Sequence, residues 1–431
     1  MERDNRGYLD GRKKGYEQGY LAGLMQGKQH GREQYRERID GTSIIIPTHN
    51  KRDYLAECVE SIFAHTVPPF ELIVVDNASD DGTGEYLAKM SDRIRIVRNE
   101  KNLGFAGAVN QGLMKARGTT LLVLNNDAVV TSNWLDNLLT CLRQYPKAGI
   151  VGPVTNYISG TQLVNVTYGS LQEMHRYAAS HNRSDPSRWT PTERLTGFCM
   201  LMRREVFEAL GYFDEGFEIG NCEDDDYGFR ARLLGFELVV ARDTFIHHYG
   251  SVSMGALESF ERIYRQNLRY YAEKWEGVPP RTPWHETATG KMSDLYPTEV
   301  AVKGAGESVY WISGGQKYRI DDPEGLDAVR LSQTDIRQWP SGGVMSRREV
   351  EARLAELARG AGDGSLLPGM IARAKNGELY QYDAGAFRKI ANDWTCRCWR
   401  LDRREPAAMP DPPFPEAPPI VAPIRIQSGN I

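Results

Sequence analysis

Short apolar runs that are typical of buried strands alternate with amphipathic segments between residues 42 and 271. The runs are SIIIPTHN, FELIVVDNAS, IRIVRNE and TTLLVLNNDA, and the segments between them include RDYLAECVESIFAHT, GTGEYLAKM and GFAGAVNQGLMKA. Strands that alternate with helices in this way pair in parallel and are joined by crossover connections. The sequence therefore predicts an α/β fold that is Rossmann-like, with a mostly parallel central sheet.

Polar side chains stand at the end of three of these strands. Pro47 to Asn50 follow the first strand, Asp76 to Ser79 follow the second, and Asn125 to Asp127 follow the strand LLVL. Ligands of open α/β sheets bind outside the carboxyl ends of the strands, where the chain leaves the sheet. We therefore expect the three polar segments to converge on one binding site.

With 431 residues the chain is too long for one ordinary domain, and we expect a catalytic domain over residues 41–280. Beyond it, VYWISGGQKYRI and YQYDAGAFRKI both have the pattern of a β-hairpin, with a tyrosine, a glycine turn and a final isoleucine in common. They predict a small β-rich accessory module over 300–400 with a weak internal repeat, although a chance match is an open alternative. Residues 405–431 contain eight prolines, which predicts a disordered tail.

The first 40 residues carry glycine at every fourth position from 7 to 31. In a helix this spacing forms a stripe that allows another helix to approach closely, although each glycine weakens the helix by about 1 kcal/mol. Two interpretations stay open for residues 1–40. One is a helical segment that forms a homo-oligomer or docks on a partner, and the other is a flexible leader.

Composition excludes some classes of partner. The net charge of -4 argues against a nucleic-acid partner, because binding to a phosphate backbone requires a concentrated basic surface. No apolar run approaches the roughly 20 residues that a transmembrane helix needs. The six scattered cysteines fit reduced thiols better than a disulfide framework. We expect a cytoplasmic protein, either free or peripheral to a membrane.

Several ordered motifs resemble family 2 glycosyltransferases, which have the A-type fold. The matching segments are SIIIPTHNKRDYLAECVESI, ELIVVDNASDDGT, NEKNLGFAGAVNQG and LLVLNNDAVV, followed by LTGFCMLMRREVFEALGYFDEGFEIGNCEDDDYGFRARLLGFELV and IHHYGS. The later segments are similar to the rhamnosyltransferase-like branch. The resemblance covers residues 43–255, leaving out the glycine repeat and the region after about 280. It implies transfer of a sugar from a nucleotide donor, in polysaccharide or cell-wall biosynthesis.

The strand-end acid Asp127 is the expected metal ligand. A hard divalent cation held by a carboxylate can neutralise the charge that develops on a diphosphate leaving group. By resemblance, Asp127 stands at the last acid of the family's D-x-D motif, with Asn125 at the first, and the cation would be Mn²⁺ or Mg²⁺. The resemblance also places a metal-contacting histidine in HHYGS, and we assign it to His247. The competing interpretation of residues 125 to 127 is a simple turn.

The resemblance assigns a further set of residues to the nucleotide and the donor sugar. Asp76 would accept hydrogen bonds from the base or the ribose, and the loop with His49 would lie against the nucleoside. The predicted donor-binding residues are Pro47, His49, Asn50, Asp76, Asn77, Asn102, Gly104, Phe105, Asn110, Asn125 and Asn126.

Four consecutive acids, Glu223 to Asp226, stand between aromatic residues in FEIGNCEDDDYGF. A solvated acidic loop is the ordinary explanation, but a partly buried carboxyl group with a raised pKa can act as a general base. By resemblance we nominate Asp224 as that base, with Glu223 as the alternative. Asp226 would support the loop or the helix that follows, or contact the acceptor, for which Thr196, Gly197 and Phe198 are further candidates.

The function predicted from the sequence is that of an inverting, metal-dependent hexosyl- or deoxyhexosyltransferase. The donor would be a UDP- or dTDP-linked sugar, with rhamnose as one candidate, and the acceptor a glycan, a lipid-linked molecule or a protein. The alternative is a nucleotide-sugar or carbohydrate-binding protein that has lost its chemistry. Asp127, Asp224 and His247 favour the enzyme, since a lapsed enzyme has no reason to retain them together.

Overall fold

The structure is a computed structural model that describes residues 37–250, 260–279, 290–359, 366–408 and 417–427. The glycine repeat predicted to be helical lies outside the described residues, so its structure and its part in self-association stay predictions.

The first part of the described chain forms a three-layer α/β unit. Its elements are β1 (Ile39–Thr48), α1 (Arg52–His65), β2 (Phe70–Asp76), α2 (Thr83–Ala88), β3 (Arg95–Arg98), α3 (Gly104–Lys115), β4 (Gly118–Leu124), β5 (Ala128–Val129), α4 (Trp134–Gln144), β6 (Ala148–Val154), α5 (Leu171–His181), β7 (Trp189–Thr192), β8 (Cys199–Arg203), α6 (Arg204–Leu210), α7 (Glu223–Leu233), β9 (Glu237–Phe245), β10 (His247–His248) and α8 (Phe260–Trp275).

Eight strands form one twisted sheet in the order β3-β2-β1-β4-β8-β6-β9-β7. The first four strands in this order are parallel to one another, as are β6 and β9. β8 runs antiparallel to both of its neighbours, and β7 is antiparallel to β9. The prediction of an α/β fold with a mostly parallel sheet is confirmed, and the antiparallel strands lie in its second half.

Alternating side chains of the central strands enter two cores on opposite faces of the sheet. Ile45, Ile73 and Val123 belong to one apolar cluster, whereas Ile44 and Ile46 belong to the other. Because successive strand residues point to opposite faces, a strand covered on both sides is apolar throughout. The predicted runs IIIP and LIVV follow from this double burial.

The register of β1 and β2 aligns their ends, with Thr48 opposite Asp76. The polar residues after these strands therefore emerge at the same edge of the sheet as those after β4.

Two smaller sheets follow, which confirms the predicted β-rich accessory module. Their elements are β11 (Val300–Lys303), β12 (Val309–Ser313), β13 (Gln316–Asp321), β14 (Val329–Arg330), α9 (Gln333–Arg337), β15 (Ser341–Ser346), α10 (Arg347–Arg359), β16 (Ile371–Arg373), β17 (Leu379–Asp383), β18 (Ala386–Lys389), α11 (Asp393–Cys398) and β19 (Ala407–Ala408).

The two small sheets share a topology. Each contains a three-stranded antiparallel meander, β11-β12-β13 or β16-β17-β18, and a later strand that returns parallel to its first strand. Tyr310 pairs with Arg319 in one hairpin and Tyr380 pairs with Lys389 in the other, a register that is the same after a shift of 70 positions. Both hairpin turns use two residues with positive φ. This agreement in register and turn geometry argues against a chance match between the two segments.

The accessory module shares a hydrophobic core with the α/β unit. Tyr296 lies between Trp339 and Trp399, with ring centroids 5.9 and 5.0 Å away. These rings and Trp275 of α8 belong to the same apolar cluster as one face of the large sheet. The module is therefore packed against the first unit.

The prediction of a disordered tail over 405–431 is wrong for residues 417–427. This segment is extended, and Ile420, Val421 and Ile424 are buried. Ile420 forms a parallel bridge with Ile390, and the Val421 amide donates to the carbonyl oxygen of Leu295. Proline is compatible with an extended chain, and the aliphatic residues between the prolines bury enough apolar surface to hold it in place.

None of the helices that the structure describes is both long enough and apolar enough to cross a membrane. All six cysteines are free thiols.

Candidate active site

A cavity of about 910 Å³ opens at the carboxyl ends of β1, β2 and β4. We call this cavity the cleft. The predicted site residues that line it are Pro47, His49, Asn77, Asn102, Gly104, Phe105, Asn125, Asn126, Asp127, Thr196, Gly197, Phe198, Glu223 and Asp224. Asp127 and Asp224 are thus brought to one cavity although they are far apart in the sequence.

Asn77 organises the β2 side of the cleft. Its amide nitrogen donates to Asn102 Oδ1 at 2.7 Å and to the carbonyl oxygen of Gly104 at 3.1 Å. Its Oδ1 accepts from the Leu103 amide at 2.9 Å, and its backbone carbonyl is 2.9 Å from Nδ1 of His49. The side chain of Asn77 therefore fixes the start of α3, and its backbone carbonyl fixes the β1 loop, relative to the end of β2.

Asp76 and Asn50 support this side from behind and do not line the cleft. Asp76 Oδ1 accepts from the Ser79 amide at 3.0 Å, and its Oδ2 lies 4.0 Å from Nε of Arg98. Asn50 has a left-handed backbone with φ of 59°, and its Oδ1 accepts from the Asp80 amide at 2.9 Å. Both side chains shape the strand-end loops that face the cleft.

Gly104 allows the start of α3 to approach another loop closely. Its φ is +72°, and a Cβ atom there would lie 3.1 to 3.2 Å from backbone atoms of Ile219. The next residue, Phe105, donates its amide to the carbonyl oxygen of Ile219 at 2.6 Å. Any larger residue at 104 would therefore be strained and would push the 219–222 loop out of the cleft wall.

A buried carboxylate and an imidazole meet at the β4 side of the cleft. Asp127 Oδ1 lies 3.1 Å from Nε2 of His248, and both side chains are less than 10% exposed. The antiparallel pairing of β5 with β10 sets His248 opposite Ala128. The imidazole stacks on Phe198 with centroids 5.2 Å apart, and its Nδ1 is 2.8 Å from the carbonyl oxygen of Tyr157. The ring is therefore held with Nε2 towards Asp127.

Asp224 presents a buried carboxyl group from the first turn of α7. Its Oδ2 accepts from the Gly197 amide at 2.8 Å and its Oδ1 from the Asp225 amide at 2.9 Å. Burial and the charge of Asp225 raise the pKa of Asp224 to about 6, although the Gly197 hydrogen bond and the Arg194 cation oppose the shift. A carboxyl group with this pKa is ionised at neutral pH and is still basic enough to accept a proton.

The neighbouring acid, Glu223, lies in a different environment. Burial and the charge of Asp224 raise its pKa well above the ordinary value. Its Oε2 is buried and has no hydrogen-bond partner among the described residues. Both influences favour the protonated form of Glu223.

Comparison with known proteins supplies the family. The model of "Glycosyl transferase family 2" matches residues 43–211. The chain is 33% identical over 346 residues to the O-antigen biosynthesis protein RfbC of Myxococcus xanthus, covering 73% of this chain and 26% of that protein. It is 30% identical over 218 residues to glycosyltransferase GlyG of Streptococcus pneumoniae, covering 48% of this chain and 67% of that protein. The chain belongs to glycosyltransferase family 2.

A third relative is the N-acetylglucosaminyl-diphospho-decaprenol L-rhamnosyltransferase of Mycobacterium tuberculosis. It is 25% identical over 242 residues, covering 50% of this chain and 78% of that protein. The chain spans about a quarter of the length of RfbC and of the Sinorhizobium fredii protein y4gI, two of the curated relatives that it matches.

In this family 2 chain, His247 is not the histidine beside Asp127. Its Nδ1 is 2.6 Å from the hydroxyl of Tyr168, and its buried Nε2 has no partner among the described residues. Burial lowers the pKa of His247 to about 4, so the ring is neutral. Adjacent strand residues point to opposite sides, so only one of two consecutive histidines can face Asp127. The assignment of His247 is corrected to His248.

Asp226 faces away from the cleft and into the protein. Its Oδ1 accepts from Nζ of Lys274 at 2.6 Å and from the Trp275 indole at 2.9 Å, and its Oδ2 accepts from Arg230 at 2.9 Å. Burial alone would raise its pKa, but Lys274 and Arg230 outweigh burial and lower it. Residues two positions apart in an α-helix are separated by about 200° around its axis. Asp224 and Asp226 therefore lie on opposite sides of α7. Asp226 thus does not line the cleft, where the acceptor was predicted to bind, although its predicted support of the helix agrees with these contacts.

Asn110 is also removed from the cleft. Its amide donates to the carbonyl oxygen of Phe213 at 2.9 Å and to Glu215 at 3.0 Å, and its Oδ1 accepts from the Phe213 amide. It joins α3 to the loop that precedes the acid cluster, and it does not line the cleft as predicted for a donor-binding residue.

The residues that form the outer rim of the cleft were not predicted from the sequence. They include Tyr157, Leu163, Arg194, Asn221 and Tyr264. Tyr157 is 51% exposed and Leu163 is 44% exposed. Asn221 lies just before the acid cluster, but the other residues belong to loops and a helix with no local motif, so no signal in the sequence distinguishes them.

Proposed function

We propose that the chain is an inverting glycosyltransferase that moves a sugar from a nucleoside-diphosphate donor to a hydroxyl group of an acceptor. The observation that carries this proposal is Asp224, a buried carboxyl group with a pKa of about 6 that lines the same cleft as Asp127 and His248. A base and an anion-stabilising site in one cavity are the two requirements of this reaction.

In the proposed reaction Asp224 takes the proton of the acceptor hydroxyl. The oxygen attacks the anomeric carbon as the bond from that carbon to the diphosphate oxygen breaks. The electrons of that bond leave with the nucleoside diphosphate, and the configuration at the anomeric carbon inverts. Deprotonated Asp224 is required, whereas Glu223, whose burial favours the protonated form, would donate a hydrogen bond to a sugar hydroxyl.

Asp127 and His248 would hold a divalent cation, Mn²⁺ or Mg²⁺. A carboxylate oxygen and an imidazole nitrogen 3.1 Å apart and open to the cleft suit a cation whose other ligands are diphosphate oxygens and water. When bound, such a cation neutralises the charge that develops on the leaving group. Among the described residues no group of three or more acids, histidines or cysteines could hold a metal alone, so we infer that cation and donor bind together.

The polar groups around Asn77 would bind the nucleotide on the opposite side of the cleft. His49 lines the cleft with its Nδ1 2.9 Å from the Asn77 carbonyl, which leaves the ring face for the nucleoside. We infer a UDP- or dTDP-linked donor. The relation to a rhamnosyltransferase that acts on a lipid-linked acceptor makes rhamnose and a lipid-linked glycan the first candidates, with other glycans and proteins as alternatives.

A binding protein that has lost its chemistry is the second candidate. It would need only the Asn77 side of the cleft. The raised pKa of Asp224 and the pairing of Asp127 with His248 have no use in such a protein, and they favour the enzyme.

Thermal-shift measurements with UDP- and dTDP-sugars, each with and without Mn²⁺, test the proposal. We expect one donor to raise the melting temperature only when Mn²⁺ is present, and we expect Asp127→Ala to abolish the effect. Asp92→Ala, which removes an exposed carboxylate, is the matched control and should behave as the wild type. If no nucleotide sugar binds with or without Mn²⁺, the proposal is wrong.

A further inference from the structure

A cation at the rim of the cleft is paired with the acid that follows Asp224. Arg194 Nε lies 2.5 Å from Asp225 Oδ1, and its Nη1 donates to Ser159 Oγ at 2.8 Å. We propose that Arg194 is a positioning residue, which fixes the carboxyl group of Asp224 by holding Asp225 against the loop before β8. The inference rests on the proposed role of Asp224 as the base.

The loop from Arg194 to Gly197 contacts the start of α7 at two consecutive residues, Asp224 and Asp225. Arg194 binds the side chain of Asp225, and the Gly197 amide binds Asp224 Oδ2 at 2.8 Å. Asp224 Oδ1 is in turn fixed by the Asp225 amide. A Cβ atom at Gly197 would lie 3.3 Å from Cβ of Asp224, so the loop and the helix are already in close contact. Movement of Asp225 would therefore disturb both hydrogen bonds of the Asp224 carboxylate.

The first turn of α7 requires this external support. It begins after Ile219, Asn221 and Cys222, three residues other than glycine with positive φ, and Cys222 provides no side-chain cap. Such backbone conformations cost about 1 kcal/mol or more each and persist only when surrounding contacts maintain them. The same turn carries four consecutive acids. The ion pair between Arg194 and Asp225 is a contact from outside the helix. It offsets the cost of the positive-φ residues and reduces the repulsion among the four acids.

Arg194 and Asp225 also act on Asp224 in opposite directions. The charge of Asp225 raises the pKa of Asp224, and the Arg194 cation lowers it. The other titratable groups near the first turn of α7 are Cys222, Glu223, Asp226 and, on α8, Tyr264 and Tyr271. Two further cations, Lys274 and Arg230, pair with Asp226 on the opposite side of α7 from Asp224. Arg194 is the cation that contacts this turn from the rim of the cleft. The two members of the ion pair are therefore expected to change the titration of Asp224 with opposite signs.

The test is a ¹³C NMR titration of the full chain with labelled aspartate carboxyl groups, in which Asp224→Asn assigns the signal of Asp224. We expect Arg194→Gln to raise the pKa of Asp224 by about 1, and Asp225→Asn to lower it by about as much. Arg194→Lys should recover most of the wild-type value because it keeps the charge. Arg262→Gln is the matched control, since it removes an exposed ion pair with Glu218 and should not change the titration.

Opposite shifts alone reflect the two charges, so the positioning role is read from the backbone amide of Gly197, which donates to Asp224 Oδ2 at 2.8 Å. We expect both Arg194→Gln and Asp225→Asn to shift the Gly197 amide NMR signal, and Arg194→Lys and Arg262→Gln to leave it near its wild-type position. If the Gly197 amide signal is unchanged in Arg194→Gln, the inference is overturned whatever the pKa of Asp224. The circular dichroism spectrum shows whether each variant is folded, and Arg194→Lys provides a conservative variant if glutamine is not tolerated. The titration requires no turnover, so its result is separate from whether the chain transfers a sugar.

Discussion

At the scale of single residues, Asp224 and Glu223 show how two adjacent acids acquire different chemistry. Both are buried, but Asp224 accepts two backbone hydrogen bonds and lies near Arg194, whereas Glu223 has an oxygen without a partner among the described residues. Hydrogen bonds and a nearby cation favour the ionised form, and burial favours the neutral form. We therefore propose Asp224 as the base and Glu223 as a hydrogen-bond donor.

Substitution of Asp224 by asparagine should lower kcat by about 100-fold or more at pH 7.5 while nucleotide affinity is retained. In the wild type, kcat/KM should fall about tenfold per pH unit below 6, because the base must be deprotonated and its pKa is about 6. Release of nucleoside diphosphate measures both quantities. Glu223→Gln is the control and should lose less activity, since the glutamine amide can still donate a hydrogen bond; the reverse order would make Glu223 the base.

The two consecutive histidines should respond differently to removal. His248→Ala should weaken Mn²⁺-supported binding of the nucleoside diphosphate about tenfold or more, because Nε2 of His248 lies 3.1 Å from Asp127. His247→Ala should leave metal-supported affinity unchanged, since its ring faces Tyr168. Calorimetric titration with and without Mn²⁺ distinguishes the two variants. A loss of metal dependence in His247→Ala alone would restore the assignment made from the sequence.

At the scale of elements, α8 fixes α7 through a buried charge network. Lys274 Nζ lies 2.6 Å from Asp226 and 2.6 Å from Asp214, and Arg230 completes the pairing of Asp226. The folded pKa of Asp226 is below its ordinary value of 3.8. Its ionisation therefore stabilises the fold above that pH, and this contribution is lost as the pH falls through the lowered folded value.

Removal of Lys274 should leave Asp214 and Asp226 in the core without the cation that pairs with both. We expect Lys274→Met to lower the free energy of unfolding by about 3 to 5 kcal/mol, because breaking a buried pair leaves an uncompensated charge. Lys389→Met, which removes a partly exposed pair with Glu378, is the control and should cost about 1 kcal/mol or less. Urea denaturation at pH 7 measures both. Equal losses would show that the network is not buried in solution.

At the scale of the whole molecule, the segment 417–427 connects the accessory module to the catalytic unit. Ile420 bridges Ile390 in the module. Further along, the Arg425 carbonyl accepts from the Glu215 amide, and the Gln427 amide donates to the Glu215 side chain at 2.7 Å. The segment therefore spans from the last small sheet to the loop that precedes the acid cluster.

A core substitution in this segment should destabilise the protein. Ile424→Ala should lower the free energy of unfolding by about 2 to 4 kcal/mol, since the side chain is 1% exposed and its removal leaves a cavity. Val344→Ala, at a position that is 55% exposed, should change it by about 0.5 kcal/mol or less. Scanning calorimetry of the full chain compares the two. An unchanged melting temperature in Ile424→Ala would mean that the segment does not pack in solution.

The sequence by itself determined the features that depend on local periodicity. Runs such as IIIP and LIVV identified doubly buried strands, and their polar ends identified the edge of the sheet at which Asn77 and Asp127 line the cleft. Two hairpins 70 residues apart were also recognisable, because each hairpin is specified by its own strands and turn. These features need only short stretches of chain, whose alternation and turn residues are visible in the sequence.

Only the tertiary structure decided which neighbouring residue faces the cleft. The choice of His248 over His247 depends on the register of β10 against β5, which lies more than 100 residues earlier in the chain. Asp226 turns inward because Lys274 of another helix is there to pair with it, and Arg194 reaches Asp225 from a separate loop. Residues 417–427 are ordered because an apolar surface is available to cover them. Each outcome depends on a partner distant in the sequence, and local patterns carry no information about such partners.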